Sequence, residues 1–500
     1  MWSMKVSYLL FLFAVVYCDV IDNKVSDECD LSDALIKEIQ SYQPIVDKII
    51  SATTNGRHKG ATYNELAKFV DKFGARVSGT QNLEDSIDYM LNLMKKYGLD
   101  NVHGEDVEVP HWVRGKEEAW LVEPRVAPLP ILGLGSSVST AKEGIQAEVL
   151  VVRSFEELNQ SNFSEKAAGK IIVFNNDWVS YGVSVAYRSQ GASKAAEKGA
   201  VAALVRSVTP YSQRTLHTGH QSYNEGVRQI PVASITVEDA RFFQRLQDRG
   251  EKIVVNLTMF NENYNMSTSR NVVGEIEGSV KPEKVVIVSG HIDSWDVGVG
   301  AMDDGGGAFI SWYGLAVLRS LNLTAKRTVR SVLWTAEEPG LYGVIGYNQT
   351  HSQDLDNFMF VMESDEGTFT PLGLEYTAGS QGGCIIKEIL KLFEAINTTR
   401  AEYGYGVGSD ISIWTSTGIP GAALLNDNEK YFWYHHTDAD TLDIEDPDTL
   451  DKATALWAAS AYIIADLSID FPRESVSVAD DKNKISVINA AINRDPLNTQ

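Results

Sequence analysis

The tightest constraint on this chain's fold is an alternation that begins at Asn271. Apolar runs of strand length, "NVVGEIEG", "EKVVIVSG", "TVRSVLWTAEE", "NFMFVMESDEG" and "GAALLND", are separated by helix-like runs such as Phe309 to Leu321. Strands that alternate with helices bury both faces of a sheet, so this pattern predicts an α/β layered architecture with helices on either side. A final helix is expected from "EDPDTL", where Asp446 can cap and Pro447 fits the first helical position. The long apolar stretch from Ala455, interrupted by Asp466, reads as a core helix rather than a membrane span.

The second regularity is chemical. In such sheets, sites collect beyond the carboxyl ends of the strands, and those ends carry the acids and histidines here. "SGHIDSWDVGVGAMDDGGGA" (289–308) brings His291, Asp293, Asp296, Asp303 and Asp304 into one glycine-rich turn. Next come Glu337 and Glu338, then Glu363 and Asp365, and later "YFWYHHTDAD" with His435, His436, Asp438 and Asp440. That many carboxylates cannot share a semi-buried cleft as bare anions, because desolvation and mutual repulsion oppose it. A divalent cation removes the difficulty. Histidine mixed with carboxylate and no thiolate suits catalytic zinc, and the number of ligands suits two ions about 3.5–4 Å apart. Asp293, two residues after His291, is placed to hold its imidazole. Of the adjacent glutamates, one can bind metal while the other serves as a general base. Each motif alone is common on protein surfaces; their joint placement after successive strands carries the reading. "GVGAMD" fails as a dinucleotide loop, because Asp303 stands where the third glycine belongs.

The remaining chain is organised around this part. "MWSMKVSYLLFLFAVVYC" reads as a secretory signal ending near Cys18, and 19–45 as either a removable pro-segment or a plain N-terminal helix. Two amphipathic helices follow from Thr62, the second with Ile87, Met90, Leu91 and Met94 at helical spacing. We expect a first catalytic segment over 46–130 and an inserted domain over 131–265, entered through the Pro-, Gly- and Leu-rich stretch 124–135. The second catalytic segment is expected over 266–475, with a C-terminal extension over 476–500. A net charge of −23 argues against nucleic acid and anionic membranes as partners. Seven N-x-S/T sequons, at Asn159, Asn162, Asn256, Asn265, Asn322, Asn348 and Asn397, agree with export. After signal removal two cysteines remain, Cys29 and Cys384, free or paired. "YGYGVGSDISIW" (403–414) reads equally as a pocket lining or as an ordinary loop with a helix cap.

The ordered set His291-x-Asp293, Asp303-Asp304, Glu337-Glu338, Asp365 and His435 resembles the co-catalytic zinc peptidases, a family that includes aminopeptidases and glutamate carboxypeptidases. The likeness spans the chain after about residue 45, and "GKIIVF", "KAAEKGAVAALV" and "IPVASITVEDA" resemble a protease-associated domain. The resemblance implies a zinc-peptidase sandwich holding two Zn2+. His291 and Asp365 would bind one ion and Glu338 and His435 the other, with Asp303 bridging, Glu337 as general acid/base and Asp293 orienting His291. His436 would stand behind the ligands, and the peptide after Asp303 would be cis. It further implies a homodimer, activation by loss of 19–45, secretion or a lysosomal location, and short peptides, dipeptides above all, as substrates. An aminopeptidase on longer peptides, or a binding protein on the same scaffold, are the alternatives.

Overall fold

The computed structural model describes residues 29–473, so the signal segment 1–18 and the extension 476–500 lie outside the described residues. The predicted alternation becomes a mixed eight-stranded sheet flanked by helices. Its order is Asp100–Val109, Ser267–Ile276, Arg327–Trp334, Lys281–His291, Phe358–Glu363, Gly421–Asn426, Pro371–Thr377 and Arg400–Tyr403. The four strands from Arg327–Trp334 to Gly421–Asn426 run parallel, and the Asp100–Val109 and Ser267–Ile276 pair is antiparallel. Alternate residues of Lys281–His291 serve opposite cores. Val286 and Val288 pack with the helices Gln43–Thr54, Gly306–Ser320 and Pro447–Asp466, whereas Val285 and Ile287 face Trp334, Tyr347 and Trp414. That period of two explains why the strand is apolar throughout: both faces are covered. The Gly306–Ser320 helix is buried on every side through Leu318, as expected of a helix without a polar stripe. Asp446 caps Pro447–Asp466 by accepting from the Thr449 amide.

A second eight-stranded sheet is built from 117–259, in the order Ala127–Pro128, Glu117–Glu123, Val254–Met259, Ile145–Val152, Ile171–Phe174, Ala202–Arg206, Val232–Ile235 and Ile131–Gly133. It has its own apolar clusters and carries the helices Tyr181–Ala196 and Val237–Asp248. This layer begins at Glu117, ahead of the stretch where the sequence suggested a crossing. Glu117–Glu123 alternates buried and exposed residues and pairs with Val254–Met259, a partner too distant for local pattern to reveal.

At the N-terminus the Asp33–Gln40 helix lies against the Ser380–Leu390 helix, with Ile39 fully buried. Cys29 and Cys384 are paired, with Cα atoms 5.5 Å apart. Ile45 falls inside the Gln43–Thr54 helix, and Ile39, Tyr42, Val46, Ile49 and Ile50 of this N-terminal segment pack into the core. Among the described residues no helix is long and apolar enough to cross a membrane.

Candidate metal centre

The parallel strands are in register, pairing His291 with Trp334 and Ser289 with Glu363. Their carboxyl ends therefore deliver His291, the Glu337-Glu338 pair and Asp365 to one side of the sheet. The turn after His291 carries Asp303 back to the same place. Gly300 takes φ +56°, and a Cβ on Gly307 would lie 2.0 Å from the Ser364 carbonyl oxygen, so the turn needs glycine at both. The Asp303–Asp304 peptide is cis.

Asp303 stands at the centre. His291 Nε2 lies 3.2 Å from its Oδ1 and 3.1 Å from Asp365 Oδ1. On the other side His436 Nε2 lies 3.3 Å from Asp303 Oδ2 and 2.9 Å from Glu338 Oε2. Ligand atoms around a tetrahedral zinc with bonds near 2.05 Å stand about 3.3 Å from one another, which matches His291, Asp303 and Asp365; on the other side Asp303, His435 and His436 gather within 4.8 Å of one another, with Glu338 against His436. Two buried oxygens, Asp303 Oδ2 and Glu338 Oε1, have no hydrogen-bond donor, which fits acceptors meant for a cation.

The electrostatics point the same way. Burial, then the charge of Asp365 and Glu338, pushes the Glu337 carboxyl well above the usual range, only partly offset by His291. Glu338 and Asp304 are pushed up by burial in the same manner. Burial opposes the Asp303 charge too, but His291 and His436 outweigh it and hold its carboxyl well below the ordinary range. Such a set is balanced by positive charge at the shared centre.

The expectation paired His435 with Glu338; it is His436 that faces this carboxylate. His435 Nε2 lies 3.6 Å from Asp303 Oδ2, within the same cluster. His436 adopts φ +61°, uncommon outside glycine, and the two imidazoles stack at 3.5 Å. Both rings therefore turn toward the site, where an extended chain would send them apart. His435 is held well below its ordinary pKa by burial and then by His436.

Supporting contacts explain further residues. The His291 Nδ1–H donates to the Asp293 main-chain oxygen (3.0 Å), while the Asp293 carboxylate accepts from the Glu337 and Glu338 amides (3.0 and 3.2 Å). Asp293 thus ties the first ligand to the glutamate pair. Glu337 Oε2 is 4.0 Å from His291 Nε2, beside the cluster rather than within it. Asp304 accepts from the His291 and Gly307 amides, and Asp440 from those of Ala301, Met302 and Asp303. Asp296 leaves the cluster and pairs with Arg114. Ser409 donates to Asp365 and Glu363, and the Asp410 and Ile411 amides donate to Glu363. The 403–414 stretch is therefore a brace behind Asp365. Sequence reading gave Asp440 and Ser409 no site role although both lie in segments it singled out; their partners are more than 40 residues away.

A family model described as Peptidase family M28 matches residues 271–461. Carboxypeptidase Q of Xenopus laevis is 49% identical over 87% of this chain and 92% of its own length. The Homo sapiens carboxypeptidase Q is 47% identical over 87% and 92%. Among solved structures, a peptidase M28 precursor from Shewanella amazonensis superposes with a TM-score of 0.82 at 29% identity, covering 88% of this chain and all of its own. A zinc aminopeptidase from Bacillus subtilis shares the fold, with a TM-score of 0.63 at 20% identity over 84% of this chain and 99% of its own.

Proposed function

The chain belongs to the carboxypeptidase Q family, its catalytic part a peptidase family M28 domain, and from that membership we propose a secreted dizinc exopeptidase acting on short peptides, dipeptides first. It is a zinc-dependent metallopeptidase. The observation that carries the count of two ions is Asp303, whose two oxygens address different histidines, at 3.2 and 3.3 Å. His291, Asp365 and Asp303 would hold one ion; His436, Glu338 and Asp303 would hold the other. His435 keeps a place beside the second, at 3.6 Å from Asp303.

Zinc bound there would supply a Lewis acid able to polarise the scissile carbonyl and to make water nucleophilic near neutral pH. The rest falls to the protein. Glu337 accepts a proton from the attacking water as its oxygen bonds the carbonyl carbon. Glu337 returns that proton to the amine nitrogen as the C–N bond breaks. Asp293 holds the Glu337 backbone still through both transfers.

Export is supported by the signal-like composition of 1–18 and by a disulfide, which persists in oxidising compartments. Asn159, Asn162, Asn265, Asn322 and Asn397 are exposed and available for glycosylation. Activation by trimming would have to cut ahead of Cys29 or leave the segment attached through its disulfide. Homodimerisation belongs to the same proposal by family likeness. The test compares a dipeptide with its N-acetylated and C-amidated forms, with and without chelator. Cleavage of the free dipeptide alone, abolished by chelator, is expected. Cleavage of the amide would make the enzyme an aminopeptidase, and no cleavage of any form would favour a binding protein.

A further inference from the structure

The two halves of the cluster differ in what holds them. His291 and Asp365 are braced from within the main sheet, by Asp293 and Ser409. The His435–His436 segment is gripped from the second sheet. The Thr218 amide donates to the His436 carbonyl at 3.0 Å, and the His436 Nδ1–H donates to the Thr218 carbonyl at 3.2 Å. The His217 Nδ1–H donates to the His435 carbonyl at 2.8 Å. A carbonyl can only accept, so the shorter of the two contacts at His436 Nδ1, to Thr218, is made by the Nδ1–H tautomer, which leaves the Nε2 lone pair directed at Asp303 and Glu338; in that tautomer Arg188, a donor 3.4 Å from Nδ1, bonds the Thr218 oxygen and not the imidazole.

Arg188, from the Tyr181–Ala196 helix, secures that carbonyl. Its guanidinium is buried, donates to the Thr218 oxygen at 3.4 Å, lies 3.4 Å from His436 Nδ1, and donates to the Tyr181 hydroxyl at 2.9 Å. It lies flat on Gly219, where a Cβ would stand 2.3 Å from Cζ. None of these atoms touches the His291–Asp365 half.

We infer that Arg188 and His217 are positioning residues for catalysis, through which the inserted sheet sets the affinity of the Glu338–His436 metal position independently of the His291–Asp365 position. The inference rests on the dizinc reading and extends it: one ion is held within a sheet, the other at the junction of two. Separating the sheets would loosen one ion and spare its neighbour.

The test is a stepwise zinc titration against a chromophoric chelator, repeated with cobalt to read the ligand-field spectrum of each position. Wild type should take two equivalents; one equivalent would overturn the dizinc reading itself, apart from the inference. In Arg188→Met one equivalent should weaken about 10- to 100-fold, the usual cost of losing an outer partner of a ligating histidine. The other should keep its wild-type affinity and its cobalt spectrum. Arg188→Lys should fall between, excess zinc should restore kcat, and KM for a dipeptide should stay unchanged. His217→Asn should weaken the same equivalent, which covers the case in which Arg188→Met fails to fold. Wild-type affinity for both equivalents, or equal weakening of both, would overturn the inference.

Discussion

Replacing Cys29 with serine removes the disulfide that ties the start of the described chain to the Ser380–Leu390 helix. Cys29 is exposed, so the substitution leaves no cavity and strands no polar group. The effect is then that of the cross-link. Its partner Cys384 lies 355 positions along the chain, and a chain-entropy treatment gives a loop of that length about 6 kcal/mol at 25 °C. Native disulfides deliver roughly 2–5 kcal/mol in practice, since denatured chains are more compact than the ideal loop. For a chain this long the unfolding entropy near Tm is about 1 kcal/mol per kelvin, so Tm should fall by about 2–5 °C. Calorimetry of wild type and Cys29→Ser, each with and without reductant, checks it. Reductant should move wild type onto the variant and leave the variant where it is. Amides of the Asp33–Gln40 helix should exchange faster in the variant. A shift below about 1 °C, or a variant that still responds to reductant, would refute the reasoning, because either would mean the cross-link does not restrict the unfolded chain.

Glu337→Gln keeps the side chain's shape and removes the proton carrier; kcat should drop by about 10²- to 10⁴-fold with zinc content unchanged by elemental analysis. His436→Ala should lose one zinc equivalent at concentrations where His435→Ala keeps both; the reverse order would return the ligand role to His435. Glu445 is pushed up to about 8, chiefly by burial, with Thr368 donating to it and pulling the other way. Its folded pKa lies above the ordinary 4.5, so the folded state keeps a proton that the unfolded chain releases. Stability from this group is intact below pH 4.5 and declines as pH rises toward 8. Glu445→Gln should flatten that decline and raise stability at pH 8 by about 2–4 kcal/mol; a denaturation midpoint at pH 8 equal to wild type would contradict it.

How far the sequence could be read depended on the range of each interaction. The strands after Asn271 were legible because burial on both faces leaves an unbroken apolar run, and the helix start at Asp446 and Pro447 because a cap is local. Ligand candidates were legible as strand-end acids. Which of His435 and His436 faces Glu338 was not, since it turns on one backbone dihedral at φ +61°. Glu117–Glu123 was missed as part of the second sheet because its partner strand lies far along the chain. Arg188 and Thr218 carried no sequence signal: a buried arginine on an alanine-rich helix and a main-chain carbonyl acquire meaning only when two sheets meet.

Val109 and Ser267 are direct partners in the main sheet, so residues 110–266 leave and re-enter it at the same point. To that sheet the entire second layer occupies the place of a hairpin turn. Closing so long a segment as a flexible loop would cost about 3 kcal/mol more than closing a four-residue turn. Most of that cost disappears once the segment has folded with its ends together. Synthesis also brings the segment out first, before any of the parallel strands that carry ligands. The expected order of assembly, inserted layer and then main sheet, can be read by pulse-labelled hydrogen exchange during refolding. In that order the jaw that closes on the histidine loop would be finished before the loop it grips has been made.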